Sequence, residues 1–173
     1  MKVNSVNNLS GRTLNDLAQC LWKTVEGGAS IGFLEPFSLA EAKAYWCAVA
    51  EQLNEDLHLL VASDNGRAVG AVQLLRCSRA NGRHRGEVQK LLIDPDYRGQ
   101  GLAAQLLQAL ESEAKELGLT LLVLDTEFES VAERLYQRLG WQRVGAIPNY
   151  ALSPDGEPVT TVYYYKELHR GSR

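Results

Sequence analysis

The sequence predicts an α/β chain built on one mixed β-sheet with helices on both faces. Three observations carry that expectation. Two apolar runs, Leu57 to Ala62 and Ala68 to Leu75, flank Asp64-Asn65-Gly66, a strong signal for an antiparallel hairpin. Apolar strands then alternate with segments of helical period. At Leu91 to Ala103 an apolar strand turns through a glycine-rich loop into a helix.

Taken in order, the elements read ααβββαβαββ, with room for a further strand near Val3. Leu14, Leu17, Ala18, Leu21, Trp22 and Val25 recur at helical spacing and stop at Gly27-Gly28. Ser38 with Glu41 three residues on is a capping-box signature, opening a second helix through Ala42, Tyr45, Ala48 and Leu53. The hairpin follows, then a basic connection from Arg79 to Gly86 that reads as a solvated loop, then a strand from Glu87 to Ile93. Pro95 cannot continue a ladder, and Leu102, Leu106, Leu107 and Leu110 mark a third helix ending at Gly118. Leu119 to Asp125 is almost continuously apolar, as a mid-sheet strand covered on both faces would be. Ser130 to Leu139 is a fourth helix closed by Gly140. Strands then begin at Trp141 to Ile147 and Thr160 to Lys166, with a turn at Ser153-Pro154-Asp155-Gly156.

At 173 residues the whole chain, 1–173, is expected to form a single domain. With 18 Lys+Arg against 21 Asp+Glu, a net charge of -3 gives no reason to expect a nucleic-acid or membrane surface, so any phosphate site must be local. The first ten residues carry no apolar leader, which points to a cytoplasmic protein. Cys20, Cys47 and Cys77 are odd in number and unpaired in spacing, so they read as reduced thiols. Cys20 and Cys47 fall in the first two helices, where a free cysteine acts as a small core hydrophobe. His58, His84 and His169 are scattered, so no metal site is expected.

Glycine at the start of the third helix admits backbone dihedrals closed to other residues, and the helix's free first-turn amides attract anions. The spacing fits neither a Rossmann fingerprint nor a P-loop. Arg98-Gly99-Gln100-Gly101-Leu102-Ala103 instead resembles the coenzyme A signature of the GNAT superfamily of N-acetyltransferases, Arg/Gln-x-x-Gly-x-Gly/Ala. A second block, Ala132 to Trp141, is similar to the family's Ala-x-x-Leu-Tyr-x-x-x-Gly-Phe. The resemblance runs from about Leu57 to Leu168. It implies a fold in which the strand ending at Ile93 and its parallel neighbour splay apart around acetyl-CoA. Leu91, Leu92 and Ile93 would then meet the pantetheine and acetyl group, and Arg98, Gly99, Gln100, Gly101, Leu102 and Ala103 the pyrophosphate. Further segments, among them Gly27 to Phe33, Glu87 to Leu91 and Leu124 to Glu127, resemble the tabtoxin-resistance acetyltransferases. That branch implies a small amino-acid-like acceptor and a role in toxin resistance.

Acyl transfer to an amine needs the free base, and an amine with a pKa of about 8 to 10.4 is mostly protonated at neutral pH. Glu87 opens the strand that would hold the acetyl arm, where the family often places its general base; a salt-bridged glutamate near Arg83 and Arg85 is the structural alternative. Asp125 ends the parallel strand and would share that role or hold the substrate ammonium, against an Asx turn before Thr126. Tyr136 would protonate the leaving thiolate, against a core tyrosine beside Leu135 and Leu139. A backbone N–H of the Glu87 to Ile93 strand would meet the oxyanion. Many family members carry Asn where this chain has Glu129, so Ser130 or backbone groups are expected to contact the cofactor there. Ser30, Phe33 and Tyr150, the last within Ile147-Pro148-Asn149-Tyr150, are candidates for the acceptor pocket or for ordinary connections. Three functions are expected to compete. A small-amine acetyltransferase predicts a closed polar pocket, and a protein or peptide N-terminal acetyltransferase an open groove. The third is an acyl-CoA-binding regulatory module without turnover. The partners expected are a small-molecule amine and, at most, a second copy of the chain, as monomer or homodimer.

Overall fold

Apolar periodicity sorts the chain into two layers of helix around one sheet, and a computed structural model describes this arrangement for residues 1–169. The elements are β1 (Lys2–Val6), α1 (Gly11–Glu26), α2 (Leu39–Gln52), β2 (Leu57–Asp64), β3 (Arg67–Arg76), β4 (Arg85–Ile93), α3 (Leu102–Glu116), β5 (Leu121–Glu127), α4 (Val131–Arg138), β6 (Gln142–Leu152) and β7 (Pro158–Glu167). They form a 7-stranded sheet in the order β1-β2-β3-β4-β5-β7-β6. Only the β4–β5 pair is parallel. The capping box predicted for α2 is present, with the Ser38 hydroxyl accepting from the Glu41 amide and the Glu41 carboxylate accepting from the Ser38 amide. The strand near Val3 is β1, paired antiparallel to β2.

Strand alternation divides the buried side chains between two cores. On one face Leu60, Val72, Val88, Ile93, Leu122, Leu124 and Tyr164 pack with Leu106, Leu107 and Leu110 of α3 and Tyr136 of α4. On the other, Leu59, Val61, Ala71 and Leu92 pack with Leu17, Leu21, Trp46 and Val49 of α1 and α2. The Trp46 indole N–H donates to the Leu17 carbonyl at 2.9 Å and ties these two helices together.

That second helical layer overlies β2 to β4 and stops there. Three expectations change as a result. β5 is covered on one face: Leu122 and Leu124 are buried, whereas Leu121 and Val123 are only half-buried and Asp125 is exposed. Cys47 is exposed on α2, while Cys20 is fully buried as expected. Ile147 to Tyr150 is a bulged length of β6, not a connection, with its register to β7 shifting between Ile147 and Ala151.

Candidate active site

The parallel pairing of β4 and β5 runs only through Arg85–Leu121, Gly86–Leu122 and Glu87–Val123. Past Glu87 the two strands part. β4 keeps β3 on one side, β5 keeps β7 on the other, and the edges between them face an open cleft. At its end β4 passes through a single turn, Pro95–Tyr97, into the glycine loop. Gly99 and Gly101 take φ of +75° and +76°, and a Cβ at either would meet nothing within 4 Å. Glycine is therefore required here by dihedral angle and not by protein packing. No side chain caps α3, and the N–H groups of residues 99–104 donate to no acceptor among the described residues. Such a row of free amides at a positive helix end suits a pyrophosphate. Arg98 is exposed beside it, its Nε donating to the Ile93 carbonyl at 3.3 Å.

Asp94 holds this turn in place. Only 1% exposed, its carboxylate pairs with Lys23 of α1 at 3.3 Å and Arg67 of β3 at 3.1 Å, and accepts from the Asp96 amide at 3.1 Å. Lys23 also binds Asp96 at 2.9 Å, a pairing that lowers the Asp96 pKa and raises that of Lys23.

Glu87 and Asp125 lie on the sheet face that α1 and α2 leave open. Glu87 is close enough to perturb Asp125, which is raised above the ordinary aspartate range, chiefly because neighbours crowd its carboxylate away from water, then because Glu87 is negative, with Lys90 opposing. Although exposed by area, this carboxylate is therefore not freely hydrated. Glu87 accepts from the Gln89 side-chain amide at 2.8 Å. No salt bridge to Arg83 or Arg85 forms; Arg83 pairs with Asp56 instead.

A bulge in β4 brings a further residue to this face. Between the paired positions Ala71–Leu92 and Gln73–Gln89, β3 has one residue and β4 has two, Lys90 and Leu91. Lys90 has φ +52°. Its Nζ donates to the Ile31 carbonyl at 2.7 Å and lies 5.2 Å from the Phe33 ring centroid. Burial lowers its pKa, against the attraction of Asp125 and Glu87. Phe33 in turn contacts Phe37 and Tyr45, and the Tyr45 hydroxyl accepts from Gln73 at 2.8 Å.

The far side of the face is formed by Tyr163 on β7, paired in register with Asp125, and Tyr150 on β6. Their hydroxyls are 2.6 Å apart, and this bond, followed by burial and the charge of Asp125, raises the Tyr163 pKa. The Glu35 amide donates to the Pro154 carbonyl at 2.7 Å, so the α1–α2 loop and the β6–β7 turn meet across the rim. Two surface hollows of about 330 Å³ lie elsewhere, around His84 and Glu167 and around Val6 and His58. The face around Glu87 and Asp125 is framed by the α1–α2 loop and the β6–β7 turn and lined by polar groups, intermediate between the closed pocket and the open groove that the competing functions predict.

Tyr136 approaches from the opposite face. It is 5% exposed, packs against Trp141 and Tyr164, and has its pKa raised by desolvation and then by Asp125. Ser130 caps α4, its hydroxyl accepting from the Glu133 amide at 3.0 Å and lying 3.4 Å from the Thr126 hydroxyl. Ser30 sits half-buried in the α1–α2 loop beside Ile31. The structure thus gathers Glu87, Asp125, Phe33 and Tyr150 on one face, Tyr136 on the other, and the glycine loop at the cleft's end. Sequence reasoning missed Lys90 and Tyr163. A signal for Lys90 existed, since Gln89-Lys90 places two polar residues in succession inside a strand that should alternate.

Residues 19–141 match the model of the acetyltransferase (GNAT) family. Among curated relatives, N-alpha-acetyltransferase 30 of Schizosaccharomyces pombe is 37% identical over 94 residues, covering 54% of this chain and 63% of its own. Aminoalkylphosphonate N-acetyltransferase of Salmonella typhimurium is 33% identical, covering 54% and 62%. L-methionine sulfoximine/L-methionine sulfone acetyltransferase of Pseudomonas paraeruginosa is 35% identical, covering 65% of each. The chain thus spans under two thirds of the length of each of these relatives. A Salmonella typhimurium structure solved with acetyl-CoA as its cofactor shares the fold, with a TM-score of 0.76 at 20% identity over 99% of this chain and 96% of that one.

Proposed function

The chain belongs to the GNAT family of acetyltransferases, and on that premise we propose that it transfers the acetyl group of acetyl-CoA to the amine of a small amino-acid-like acceptor. One observation carries the reading: the β4–β5 cleft opens directly beside the row of free amides at residues 99–104. The amides and Arg98 hold the pyrophosphate, the side chain of Ser130 or its neighbouring backbone lies along the cofactor, and the pantetheine arm pairs with the free β4 edge at Leu91, Leu92 and Ile93. A β4 amide in the cleft meets the thioester oxyanion.

Glu87 and Asp125 take the proton of the acceptor ammonium, directly or through water. The raised pKa of Asp125 makes it a stronger base than an ordinary aspartate. The amine nitrogen bonds to the thioester carbon and sheds its second proton through water, the carbon–sulfur bond breaks, and Tyr136 protonates the thiolate and regains its proton from solvent. A phenol with a raised pKa is a reluctant acid toward an ordinary thiol of about 8.5. Burial resolves this, because it lifts thiols too: desolvation, its main cause, pushes the Cys20 thiol up to about 12. A thiolate held between the strands away from water is shifted in the same direction, which narrows its gap to the phenol.

A small acceptor is supported by the groove's polar lining and by relatives named for an aminoalkylphosphonate and for methionine sulfoximine. A toxic amino acid would be one such acceptor. The groove's open side, and the fission-yeast relative named as an N-alpha-acetyltransferase, favour a peptide N-terminus as the second reading. The proposal is of one domain working in the cytoplasm; among the described residues no helix is long and apolar enough to cross a membrane. Following thiol release from acetyl-CoA across a panel of amino acids and peptides tests it. Acetyl-CoA binding without release on any amine would leave a regulatory acyl-CoA-binding module.

A further inference from the structure

Lys90 is a cation on the proposed acceptor face, held where the β4 bulge meets the α1–α2 loop. The β4 bulge turns it toward the α1–α2 loop at φ +52°, a conformation that side-chain-bearing residues seldom adopt. Across from it, Gly32 has φ +91°, and a Cβ there would come within 2.9 Å of the Lys90 Nζ. The Lys90 ammonium thus rests against the glycine backbone of the α1–α2 loop.

Its bonding is incomplete. An ammonium has three donors. One is used by the Ile31 carbonyl, and no carboxylate among the described residues forms a salt bridge with it. Half-buried charges of this kind are normally paired. Glu87 and Asp125 are near enough to favour its charged form but stand apart from it. The groove thus presents two negative groups and, set off from them, one positive group with unspent hydrogen bonds. That is the complement of a zwitterion.

We propose that Lys90 binds a carboxylate on the acceptor, while Glu87 and Asp125 receive its amine. This rests on the small-acceptor reading above and narrows it to free amino acids and compounds like them. A peptide N-terminus carries an uncharged amide where the free acid has its carboxylate, and forfeits the Lys90 contact.

The test compares kcat/KM for the twenty common L-amino acids and their carboxamides, in the wild-type chain, in Lys90→Met and in Lys90→Arg. The expected result is a preference for acid over amide of roughly tenfold or more on the best acceptors. The preference should collapse to about twofold or less in Lys90→Met and persist in Lys90→Arg, which keeps the charge. Were Lys90 only a clamp on the α1–α2 loop, acid and amide rates would fall together in Lys90→Met and the ratio would hold, which overturns the proposal. Equal rates for acids and amides in the wild-type chain overturn it as well, leaving acetyl transfer intact. No thiol release with either series overturns this inference, and none with peptides as well overturns the acetyltransferase reading itself.

Discussion

Helix α3 has a positive-φ glycine at each end, and the pair makes a controlled experiment. Gly101 precedes the helix at φ +76° and Gly118 follows it at φ +77°, and a Cβ at either would touch nothing within 4 Å. Alanine should therefore cost the folded chain the same at both sites, through the left-handed dihedral alone, about 1 to 2 kcal/mol. For a chain of this size that lowers Tm by about 2 to 8 °C. The two differ in what surrounds them. At Gly101 a methyl group enters the space in front of the free amides, and losing one charge-assisted bond to phosphate costs about 1.5 to 3 kcal/mol. Converted at about 1.4 kcal/mol per decade, Gly101→Ala should weaken acetyl-CoA binding by roughly 10- to 150-fold. Gly118→Ala, at the carbonyl end of the helix, should leave it within about twofold. Thermal unfolding without ligand and calorimetric titration with acetyl-CoA measure the two effects separately. Equal acetyl-CoA affinity in the two variants would refute the assignment of the pyrophosphate to this loop.

Tyr136→Phe removes a hydroxyl with no hydrogen-bond partner among the described residues, so Tm should move by under about 2 °C. Single-turnover kinetics should nonetheless show a fall in kcat of about 10²-fold or more with acetyl-CoA affinity retained. Asp125→Asn should slow turnover and stabilise the fold at the same time. Because the folded chain raises the Asp125 pKa, it binds protons more readily than the unfolded chain. Stability is therefore lost as pH rises from about 3.9 through the folded value. Urea denaturation should show the variant more stable than wild type at pH 7 and the difference vanishing near pH 3. Asp94→Asn leaves Lys23 and Arg67 without their shared anion. Both cations are partly exposed, so the cost should be about 2 kcal/mol, below the roughly 3 to 5 kcal/mol of a fully buried pair, with acetyl-CoA bound more weakly because the turn before Gly99 loosens. Denaturation and titration on one preparation check both.

Most of the fold was legible because its signals are local. The Asp64-Asn65-Gly66 hairpin, the Ser38–Glu41 cap and the glycine stops each depend on a few adjacent residues, and each is present in the structure. The sidedness of β5 was not legible, because whether Leu121 and Val123 are covered depends on how far α1 and α2 extend across the sheet. Cys47 misled for the same reason: helical period marks a face, and α2 presents that position to water. The residues proposed to hold the donor lie in one continuous stretch, from Leu91 to Ala103, where a sequence motif can point to them. The acceptor side is assembled from five separate segments. Tyr163 reaches it only through the β5–β7 register, and Lys90 only through a one-residue bulge that changes which face it serves.

The parting of β4 from β5 also governs the order in which molecules come and go. Tyr136 lies on one side of the cleft, and Glu87 and Asp125 lie on the other. On the proposed reading, donor and acceptor therefore approach from different sides. Both can be aboard together, so the acetyl group has no need to rest on the protein between one visitor's departure and the next one's arrival. Steady-state lines at varied acceptor should then intersect, and coenzyme A should compete with acetyl-CoA alone.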